Sequence, residues 1–545
     1  MTRRRLLAAS AIGATACLRS KRRIAGDFVD QSHLIGHRIR DGGVFPPSNE
    51  VEKVPVVIVG GGIAGLSAAW RLQKRGFDDF VLLEMEDQAG GNSRFGEDEA
   101  TAYPWGAHYI PIPDRRIPLV EELFEEFGVL SNGRWDPAHI SRAPLHRLFI
   151  NGEWQPDLEP GPDAPQIDRD QFDRFWERME YFRQGGEFTI PIRQPVETAY
   201  LDQLSMKSWM IQEGFFSERL LWYVDYGCRD DFGTSSAQTS AWAGIHYFAG
   251  RSEDDIGFLT WPEGNGWIVK RLLEIVAAKV RTGSPVVRIS MNGKRLKVAT
   301  PGRTFDCEGV IFAAPTFLAP YLIPDLGLNT SDFVYAPWYT ANLVLDRRPS
   351  GGVAAWENLI YNSPGLGYVD ARHQSGEARE DRTVWTYYRA LTQGSPAQAR
   401  QLLLDTTWEA RADEVLDDLS QAHADLRDCV ERVDIMRMGH AMISPNVGFL
   451  TSPQRQAIAD LDGPIQFANS DLSGISIFEE AQYRGVRAAD RVLKRLGQGH
   501  YTAATVLAYR LAPSRTRSSN LASSATVSGS SAYRFLVSRG SSARL

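Results

Sequence analysis

The sequence has few cysteines and no excess of positive charge. Its 545 residues include four cysteines, which are Cys17, Cys228, Cys307 and Cys429. They form no C-x-x-C pair, and they do not show the paired cysteine and histidine spacing of a zinc site. This scarcity argues against a disulfide framework and against a metal cofactor such as zinc. The formal net charge is −7. A chain without a broad basic surface is not expected to bind nucleic acid.

Long apolar runs, internal repeats and hydrolase motifs are also missing. Beyond the N-terminus no uninterrupted apolar stretch reaches the length of about 18 residues that a transmembrane helix needs, so we expect no integral membrane segment in the mature chain. No repeat of about 20 to 50 residues is visible, which argues against solenoids and propellers. The G-x-S-x-G, H-E-x-x-H and Cys/His nucleophile patterns are absent, so hydrolase chemistry is not indicated.

The N-terminus has the features of an export signal. Residues 2–7 read Thr-Arg-Arg-Arg-Leu-Leu, and a short apolar run follows to Leu18. A basic head before a stretch too short to span a bilayer is typical of targeting segments. Residues 1–28 resemble a twin-arginine signal, which implies export of the folded protein to the periplasm or another extracytoplasmic space. A basic disordered terminus is the alternative reading, and a lipid anchor at Cys17 is a further one.

The chain after this signal alternates strands and helices. Residues 54–59 and 80–83 are continuous apolar strands, and residues 63–75 between them have helical spacing, which together predict a βαβ unit. Further helices are predicted at 118–127, 171–184, 206–213, 217–226, 267–280, 396–419 and 478–496. Further strands are predicted at 284–290, 296–299, 310–313, 340–345 and 465–468. Polar residues 29–50 are predicted as a linker, and residues 514–545 as a disordered tail.

A glycine-rich fingerprint lies inside the βαβ unit. The loop between strand and helix reads Gly60-Gly61-Gly62-Ile63-Ala64-Gly65, and Glu84 ends the second strand. Gly60 permits a tight turn, Gly62 lets the backbone approach a pyrophosphate, and Gly65 allows helix and strand to pack closely. Ile63 and Ala64 open the helix whose positive end faces the phosphates. The pattern predicts a dinucleotide site, with the carboxylate of Glu84 on the ribose, and leaves NAD and FAD open.

Two segments beyond Glu84 resemble the flavin amine oxidase superfamily. They read Gly90-Gly91-Asn92-Ser93-Arg94 and Trp105-Gly106-Ala107-His108-Tyr109-Ile110. The resemblance implies that the first segment, with Gly90, Gly91, Asn92 and Arg94, passes close to the pyrophosphate and flavin. It also implies that Gly106 and Ala107 lie beside the isoalloxazine ring. Asn92 replaces the family's usual arginine and Pro104 its usual acid, which indicates a remote branch.

The resemblance continues later in the chain. Residues 283–289 resemble the strand whose valine, here Val286, meets the adenine, and residues 310–315 resemble the return strand, with Ala314 on the pyrophosphate side. Residues 467–474 resemble the segment whose acid, here Asp471, holds the ribityl chain. The following helix, with Glu480 and Ala481, resembles the helix that faces the flavin pyrimidine. The alternatives are that Asp471 caps a turn and that Glu480 lies on a solvated first helical turn.

The resemblance therefore implies FAD as the cofactor and an α/β fold. A Rossmann-like FAD-binding domain, of the glutathione-reductase and amine-oxidase type, is expected from residues 51–120, 256–320 and 451–500. An inserted α+β substrate domain is expected from residues 121–255 and 321–450. These insertions are rich in tryptophan and tyrosine, most of which we assign to the core. A few are expected to line an apolar slot for a small-molecule substrate.

The candidate catalytic residues are two histidines. His108 lies in the segment that resembles the one beside the flavin ring, and His440 lies where the family's chain returns to the flavin. The charged run Arg229-Asp230-Asp231 is predicted as an internally paired loop, with ligand binding as the alternative. Residues 340–345 resemble the strand that carries a lysine near flavin N5 in many family members, but Asn342 and no lysine stands here. Oxygen and a carrier such as a quinone therefore both remain open as electron acceptor.

The resemblance implies oxidation of a C–N bond in an amine or amino acid by hydride transfer to flavin N5, by an oxidase or a dehydrogenase. A desaturase or isomerase of a polyene or porphyrinogen uses the same family fold and is the first alternative. A flavin-binding protein without catalytic activity is the second. The sequence does not fix the oligomeric state or whether the flavin is covalently attached.

Overall fold

The computed structural model describes residues 23–497 except 31, 47–49, 114–116, 252–256, 353 and 375–381. Most of the predicted signal, including Cys17, and all of the predicted tail lie outside the described residues. Within the described residues no helix is both long and apolar enough to cross a membrane.

The strands of the described residues are as follows: β1 Val51–Lys53, β2 Val56–Val59, β3 Phe80–Leu83, β4 Phe95–Glu97, β5 Ala102–Pro104, β6 Tyr109–Pro111, β7 Leu130–Ser131, β8 Arg134–Trp135, β9 His146–Ile150, β10 Glu153–Pro156, β11 Phe258–Thr260, β12 Val280–Arg281, β13 Arg288–Asn292, β14 Arg295–Ala299, β15 Thr304–Cys307, β16 Gly309–Phe312, β17 Tyr335–Leu345, β18 Glu357–Ile360, β19 Tyr368–Asp370, β20 Thr383–Ala390, β21 Val430–Ile443 and β22 Ile465–Phe467.

The α-helices are as follows: α1 His33–Arg40, α2 Ile63–Lys74, α3 Pro118–Glu126, α4 Gln166–Gly185, α5 Met206–Gln212, α6 Glu218–Phe232, α7 Ala241–Ala249, α8 Gly266–Val276, α9 Ala319–Leu322, α10 Pro396–Asp405, α11 Trp408–Ser420, α12 Leu426–Cys429, α13 Pro453–Ala459 and α14 Phe478–Arg495.

A parallel sheet of order β12-β3-β2-β16-β22 forms the first structural unit. Its strands β2, β3, β16 and β22 are buried on both faces, which explains their continuous apolar sequences. Alternate residues of β2 enter two different cores, with Val56 and Ile58 facing helices α2 and α8. Val57 and Val59 face a layer that includes the antiparallel strands β13 to β15. This three-layer arrangement confirms the predicted α/β class.

Helix α14 returns from the C-terminal end of the described chain and packs on α2. The contact is close because Gly485 has no side chain: a Cβ there would lie 2.1 Å from the carbonyl oxygen of Ala64. The last part of the chain therefore closes directly onto the helix that follows the glycine-rich loop.

A mixed sheet of order β10-β9-β18-β19-β20-β17-β21 forms the second unit. It is antiparallel except for the parallel pair of β9 and β18, in which Glu357 lies opposite His146. Helices α4 to α7 share a core with one face of this sheet, built around Phe175, Tyr223 and Trp242. Residues 146–443 supply all strands of this sheet, interrupted by β11 to β16.

The segment predicted as a linker contains helix α1, and the residues before it contact the second sheet. Ala25 and Phe28 form parallel bridges with Arg432 and Ile435 on the edge strand β21. The carboxylate of Asp30 accepts hydrogen bonds from Arg437 at 2.9 and 3.0 Å. This part of the chain therefore covers an edge that would otherwise expose backbone groups.

The structure differs from the predicted elements in several places. The predicted helix 396–419 is two helices: the first ends at Asp405 with Thr406 as its C-cap, and the side chain of Thr407 caps the second at Ala410 N–H. Helix α6 continues to Phe232, so the run Arg229-Asp230-Asp231 is helical, not a loop. Helix α7 and strands β9, β18, β20 and β21 were not predicted.

Candidate active site

The glycine-rich loop has the backbone geometry expected of a phosphate cradle. Gly60 has a φ of 103°, and a Cβ there would lie 3.0 Å from the backbone nitrogen of Ala314. A Cβ at Gly65 would lie 1.9 Å from the Gly60 carbonyl oxygen. Both positions therefore require glycine, and they bring the start of α2, including Ile63 and Ala64, against the end of β2. The loop also places Ala314 beside Gly60, and a contact of Ala314 with a pyrophosphate stays a prediction.

The space beside Gly62 fits a dinucleotide phosphate. A Cβ at Gly62 would meet only the Gly91 Cα, at 3.9 Å, and no side chain caps the N-terminus of α2. Gly90 and Gly91 have positive φ angles of 132° and 56°, and the Gly90 N–H donates to the Gly61 carbonyl at 2.8 Å. The two glycine segments thus lie side by side around an uncapped helix terminus, which favours anion binding.

Glu84 and Val286 lie on the side of this loop where the adenosine is expected. The Glu84 carboxylate accepts hydrogen bonds from Gly61 N–H at 2.6 Å and Glu86 N–H at 2.9 Å. Burial raises its pKa, while these two hydrogen bonds lower it. Ser284 N–H donates to the Glu84 carbonyl, which holds the segment with the buried Val286 next to β3. These residues can form the ribose and adenine end of an FAD site.

The second predicted segment, residues 105–110, packs against the glycine segment that contains Asn92. Asn92 accepts a hydrogen bond from Ala107 N–H through its carbonyl at 2.8 Å, and its side chain donates to the Ala441 carbonyl. A Cβ at Gly106 would lie 2.4 Å from the Asn92 carbonyl oxygen. The Arg94 guanidinium donates to the Gly91 carbonyl and lies 3.6 Å from a Glu86 oxygen. Asn92, Gly106 and Ala107 also line the cavity described below.

Asp471 and Glu480 are buried and hold internal hydrogen bonds. Asp471 accepts from Thr316 N–H and Oγ1 at 2.7 Å each and from the Tyr335 hydroxyl. Glu480 accepts from Ile192 N–H and from the Ser473 hydroxyl. The alternatives of a capping Asp471 and a solvated Glu480 are wrong, because Asn469 caps that turn and Glu480 is 0% exposed. A contact of Asp471, Glu480 or Ala481 with the flavin stays a prediction.

A cavity of about 210 Å³ opens from Gly106 and Ala107 into the second structural unit. Its walls are largely aromatic and include Tyr109, Tyr226, Tyr247, Trp338, Trp356 and Tyr388. Tyr109 belongs to the segment that is predicted to lie beside the flavin. The other five belong to the aromatic-rich insertions. The aromatic side chains form the predicted apolar slot. Several polar side chains, described below, also line it.

His108 lines this cavity and has one unpaired ring nitrogen. Its ring bonds the Gly106 carbonyl, and Nε2 has no hydrogen-bond partner within the described residues. Burial lowers the pKa of His108 to about 3, so the ring is neutral near pH 7. Because a carbonyl only accepts, the bonded nitrogen carries the proton and Nε2 is a free acceptor. The ring stacks on Tyr388, with centroids 4.8 Å apart, which fixes its orientation.

Four carboxyl side chains line the cavity: Asp230, Asp231, Glu357 and Glu479. Glu479 forms an ion pair with Arg251 at 2.8 Å, and Arg251 is the one arginine among the described lining residues. Burial raises the pKa of Asp230, of Glu357 and of Asp231, the last to about 6. Burial also lowers the pKa of the lining His146 and His246 to about 4. The cavity therefore carries more negative than positive charge.

These carboxyl groups include residues that sequence reasoning misassigned or missed. Arg229 does not pair internally with its neighbours as predicted: it lies 3.2 Å from Asp225, one helical turn earlier. Asp230 and Asp231 instead face the cavity from α6. Glu357 carried no motif at all, since it reaches the cavity only through the pairing of β18 with β9.

His440 and Asn342 do not line the cavity. His440 is exposed on β21 and stacks on Phe317, with centroids 4.3 Å apart. Its chain neighbours Ala441 and Met442 line the cavity instead, so His440 has no contact with this cavity, and a catalytic role for it stays a prediction. Asn342 is buried behind the wall and donates to the Pro104 carbonyl at 3.1 Å.

The positions of β17 that do line the cavity are Trp338 and Thr340. No lysine occurs among the described residues that line the cavity. The described residues also contain no group of three or more side chains suited to hold a metal ion.

The fold and the glycine cradle define a dinucleotide-binding type of protein with a largely aromatic cavity beside the cradle. The sequence profile of the family described as "Flavin containing amine oxidoreductase" matches residues 63–493. The chain belongs to this family, whose members bind FAD.

Three proteins illustrate the similarity. An L-amino-acid oxidase of Demansia vestigiata is 26% identical over 273 residues, 46% of this chain and 48% of that protein. Amine oxidase [flavin-containing] A of Equus caballus is 24% identical over 284 residues, 48% of this chain and 50% of that protein. The chain thus spans about half the length of these curated relatives. A putrescine oxidase structure with bound putrescine has a TM-score of 0.63 at 17% identity, covering 82% of this chain and 100% of that one, which shows the shared fold.

Proposed function

We propose that the protein oxidises the C–N bond of an amine to an imine, which water then hydrolyses to a carbonyl compound and ammonia or a smaller amine. Bound FAD would accept the hydride, which carries both electrons, from the carbon next to the nitrogen, and the nitrogen would lose a proton. The observation that carries the proposal is the cavity itself, which combines aromatic walls with an excess of carboxyl groups. Such a lining stabilises a substrate that enters as an ammonium ion.

The neutral His108 gives the cavity a place for the reacting nitrogen. Its Nε2 atom accepts a hydrogen bond from an amine N–H beside Gly106 and Ala107. The aromatic walls exclude water and so favour loss of the amine's proton, because burial disfavours the charged form. An amine held there in its neutral form has the lone pair that assists C–H bond cleavage.

The carboxyl groups distinguish between the substrate classes that the family fold can accept. An amino acid substrate brings its own carboxylate, and the lining arginine is already paired with Glu479. A polyene needs apolar walls and would leave Asp230, Asp231 and Glu357 buried beside hydrocarbon, which is unfavourable. These considerations favour an amine without a carboxylate over an amino acid and over a polyene.

The test is product formation by the flavin-loaded protein with air and, separately, a quinone as acceptor. We expect a carbonyl compound and ammonia in equal amounts from one or more amines, with little turnover of amino acids. Consumption of a polyene without any amine turnover would show that the desaturase alternative is correct. A protein that holds flavin but converts none of these compounds would support the alternative of a binding protein without catalytic activity.

We further propose export of the folded protein through the twin-arginine signal in residues 1–28. The basic and apolar pattern of the first residues supports this proposal. Replacement of Arg4 and Arg5 by lysine should retain the protein in the cytoplasm. Cell fractionation measures where the variant is found. Export of the variant at the wild-type level would contradict the proposal.

A further inference from the structure

Helix α1 lies in the segment that the sequence predicted as a linker, yet its start is attached to the predicted FAD site. Ser32 is the N-cap residue of α1, where a serine side chain normally bonds the first turn of its own helix. The Ser32 side chain makes no such bond and instead donates to the Glu86 carboxylate at 2.8 Å. Glu86 N–H in turn donates to the Glu84 carboxylate at 2.9 Å. The start of α1 is therefore bound to the loop that carries the predicted ribose ligand.

Glu86 also connects α1 to the glycine segments. The Glu86 oxygen that accepts from Ser32 lies 3.6 Å from Arg94 Nη1. Arg94 Nε donates to the Gly91 carbonyl at 3.1 Å, and Gly91 lies beside Gly62 at the uncapped start of α2. Two charged side chains thus join Ser32 to the glycine cradle.

The C-terminal half of α1 contacts the segment that follows β16. Ile39 packs against the same core layer as Ala314 and Phe317, and α1 lies against α9. The Ala314 backbone nitrogen is the atom that a Cβ at Gly60 would approach, at 3.0 Å. Helix α1 therefore reaches both the loop after β3 and the segment after β16.

The order of the parallel sheet shows what lies between these two contacts. Strands β3 and β16 are the two neighbours of β2, and the glycine-rich loop follows β2. The carboxyl ends of neighbouring parallel strands meet at one edge of the sheet, where dinucleotides bind in such folds. A helix that contacts the segments after both outer strands crosses this edge. Helix α1 thus spans the edge of the sheet at which the predicted cofactor cleft lies.

The residues before α1 anchor it to the second structural unit. Asp30 accepts hydrogen bonds from the Arg437 guanidinium at 2.9 and 3.0 Å. The preceding residue of β21, Met436, has its Sδ atom 3.7 Å from Arg94 Nη2. This anchor therefore lies next to the segment of residues 90–94, and α1 is fixed to both structural units.

Helix α1 also brings positive charge to this edge. Its residues include Arg38, Arg40 and two histidines, and none of them is acidic. Although Arg40 pairs with the following Asp41, the net charge of residues 33–41 is positive. The pyrophosphate of a dinucleotide is negatively charged, and a positive field beside an anion site favours binding. The charge of α1 therefore suits the ligand of the cleft that it spans.

We propose that Ser32 and α1 are part of the FAD site and that α1 retains the bound cofactor. A helix attached at Glu86, at the segment after β16 and at β21 must move before a dinucleotide can leave the edge that it spans. The hydrogen bond between Ser32 and Glu86 resists that movement. The inference concerns cofactor binding, so it holds whichever substrate the protein oxidises.

The experiment measures how fast the flavin-loaded protein loses FAD. The protein is diluted, released flavin is removed by desalting at intervals, and the ratio of flavin to protein absorbance is recorded. Ser32→Ala is expected to release FAD about tenfold faster than the wild type, because a hydrogen bond to a charged carboxylate is lost. Ser32→Thr keeps the donor and should release FAD at close to the wild-type rate. Ser131→Ala is the matched control, since it removes an exposed hydroxyl on β7.

Asp30→Asn tests the anchor on β21 in the same assay. It is expected to release FAD about tenfold faster, because the charge of the pair with Arg437 is lost. Asp41→Asn is its control: the carboxylate is exposed and pairs with its chain neighbour Arg40, so release should keep the wild-type rate. Wild-type release rates in both Ser32→Ala and Asp30→Asn would overturn the proposal. Flavin that none of these proteins releases would also overturn it, because retention would then not depend on α1.

A second measurement needs no variant. If α1 stabilises bound FAD, then bound FAD stabilises the attached α1 to the same extent, because such coupling is reciprocal. Amide hydrogen exchange in residues 33–40 is therefore expected to be about tenfold slower in the flavin-loaded protein than in the protein freed of flavin. Residues 411–420 of α11, which pack in a different core, serve as the reference. Equal exchange at α1 with and without FAD, or equal slowing at α1 and α11, would overturn the proposal.

Discussion

At the scale of single residues, His108 is the polar group best placed to meet an amine nitrogen. Its bond to Gly106 and its stacking on Tyr388 fix the ring in the cavity wall, and Nε2 is left without a partner among the described residues. A preoriented acceptor lowers the entropic cost of aligning the substrate. Because the pKa of His108 is about 3, the ring acts by accepting a hydrogen bond in its neutral form.

His108→Phe should slow flavin reduction by a saturating amine about tenfold, since one hydrogen bond is lost while the ring volume is kept. Stopped-flow absorbance without oxygen measures the rate. The matched control is His440→Phe, which changes an exposed ring on Phe317 and should leave the rate unchanged. An equal effect of both substitutions would show that His108 is not the acceptor.

Glu357 gives a pH-dependent contribution to stability whose sign follows from its environment. Burial raises its pKa from 4.5 to about 7 in the folded protein. A carboxyl group with a raised folded pKa favours folding while it is protonated, so its contribution is complete below pH 4.5 and falls as the pH rises to about 7. The buried ionised form is the less stable one.

Glu357→Gln should therefore gain stability relative to the wild type as the pH rises from 5 to 7. The expected change in the difference of unfolding free energies is at most roughly 1.4 kcal/mol per pH unit. Urea unfolding of the flavin-loaded proteins without amine measures it. A difference that stays constant over this range would contradict the burial of an ionisable Glu357 in the cavity.

The sequence predicted only some of the residues that line the cavity. His108 on one side, and Asp230 and Glu357 on the other, show the reason. His108 was identified because it belongs to a contiguous segment with a recognisable pattern. Asp230 and Glu357 line the same cavity although they are remote in sequence; Tyr226, on the same helix as Asp230, bonds Glu357 across 131 positions. No local pattern can reveal such a pair, since it depends on how α6 packs against the second sheet.

At the scale of elements, the contact between α2 and α14 connects the cofactor loop to the end of the fold. Gly485 allows α14 to approach the first turn of α2 at Ala64. The same α14 supplies Phe478 and Glu479 to the cavity. Movement of this helix would therefore disturb the glycine cradle and the cavity together.

Gly485→Ala should destabilise the protein by about 1 to 3 kcal/mol and reduce bound flavin, because the new Cβ would overlap the Ala64 carbonyl. Thermal unfolding and the ratio of flavin to protein absorbance measure the two effects. Gly185→Ala is the control: it lies in helix α4 with no atom within 4 Å of the added Cβ and should be neutral or stabilising. A Gly485→Ala protein with normal flavin content would argue against this coupling.

The elements that the sequence predicted well are those with a strong local pattern. Strand β3 was predicted at its observed bounds, and α2 and α14 within one residue. Strand β21 was missed because charged residues interrupt it: it reads Val-Glu-Arg-Val-Asp-Ile-Met-Arg from Val430 to Arg437. Its pairing with β17 along most of its length stabilises the strand, and this partner is remote in sequence.

At the scale of the whole molecule, the parallel sheet carries the cofactor loop and the mixed sheet carries most of the cavity. The segment around Gly106 and Ala107 joins the two, since Tyr388 and Thr340 of the mixed sheet bond the backbone at Gly106 and Trp105. The cavity therefore adjoins the segment that is predicted to lie beside the flavin.

The most direct test of the central claim is an absorbance spectrum of the purified protein, recorded without oxygen while an amine is added. We predict flavin bands near about 370 and 450 nm that bleach with an amine. We also predict slow recovery in air and faster recovery with a quinone, because no lysine lines the described cavity. A folded protein that neither carries nor takes up flavin would contradict the account, as would flavin bands that no amine bleaches.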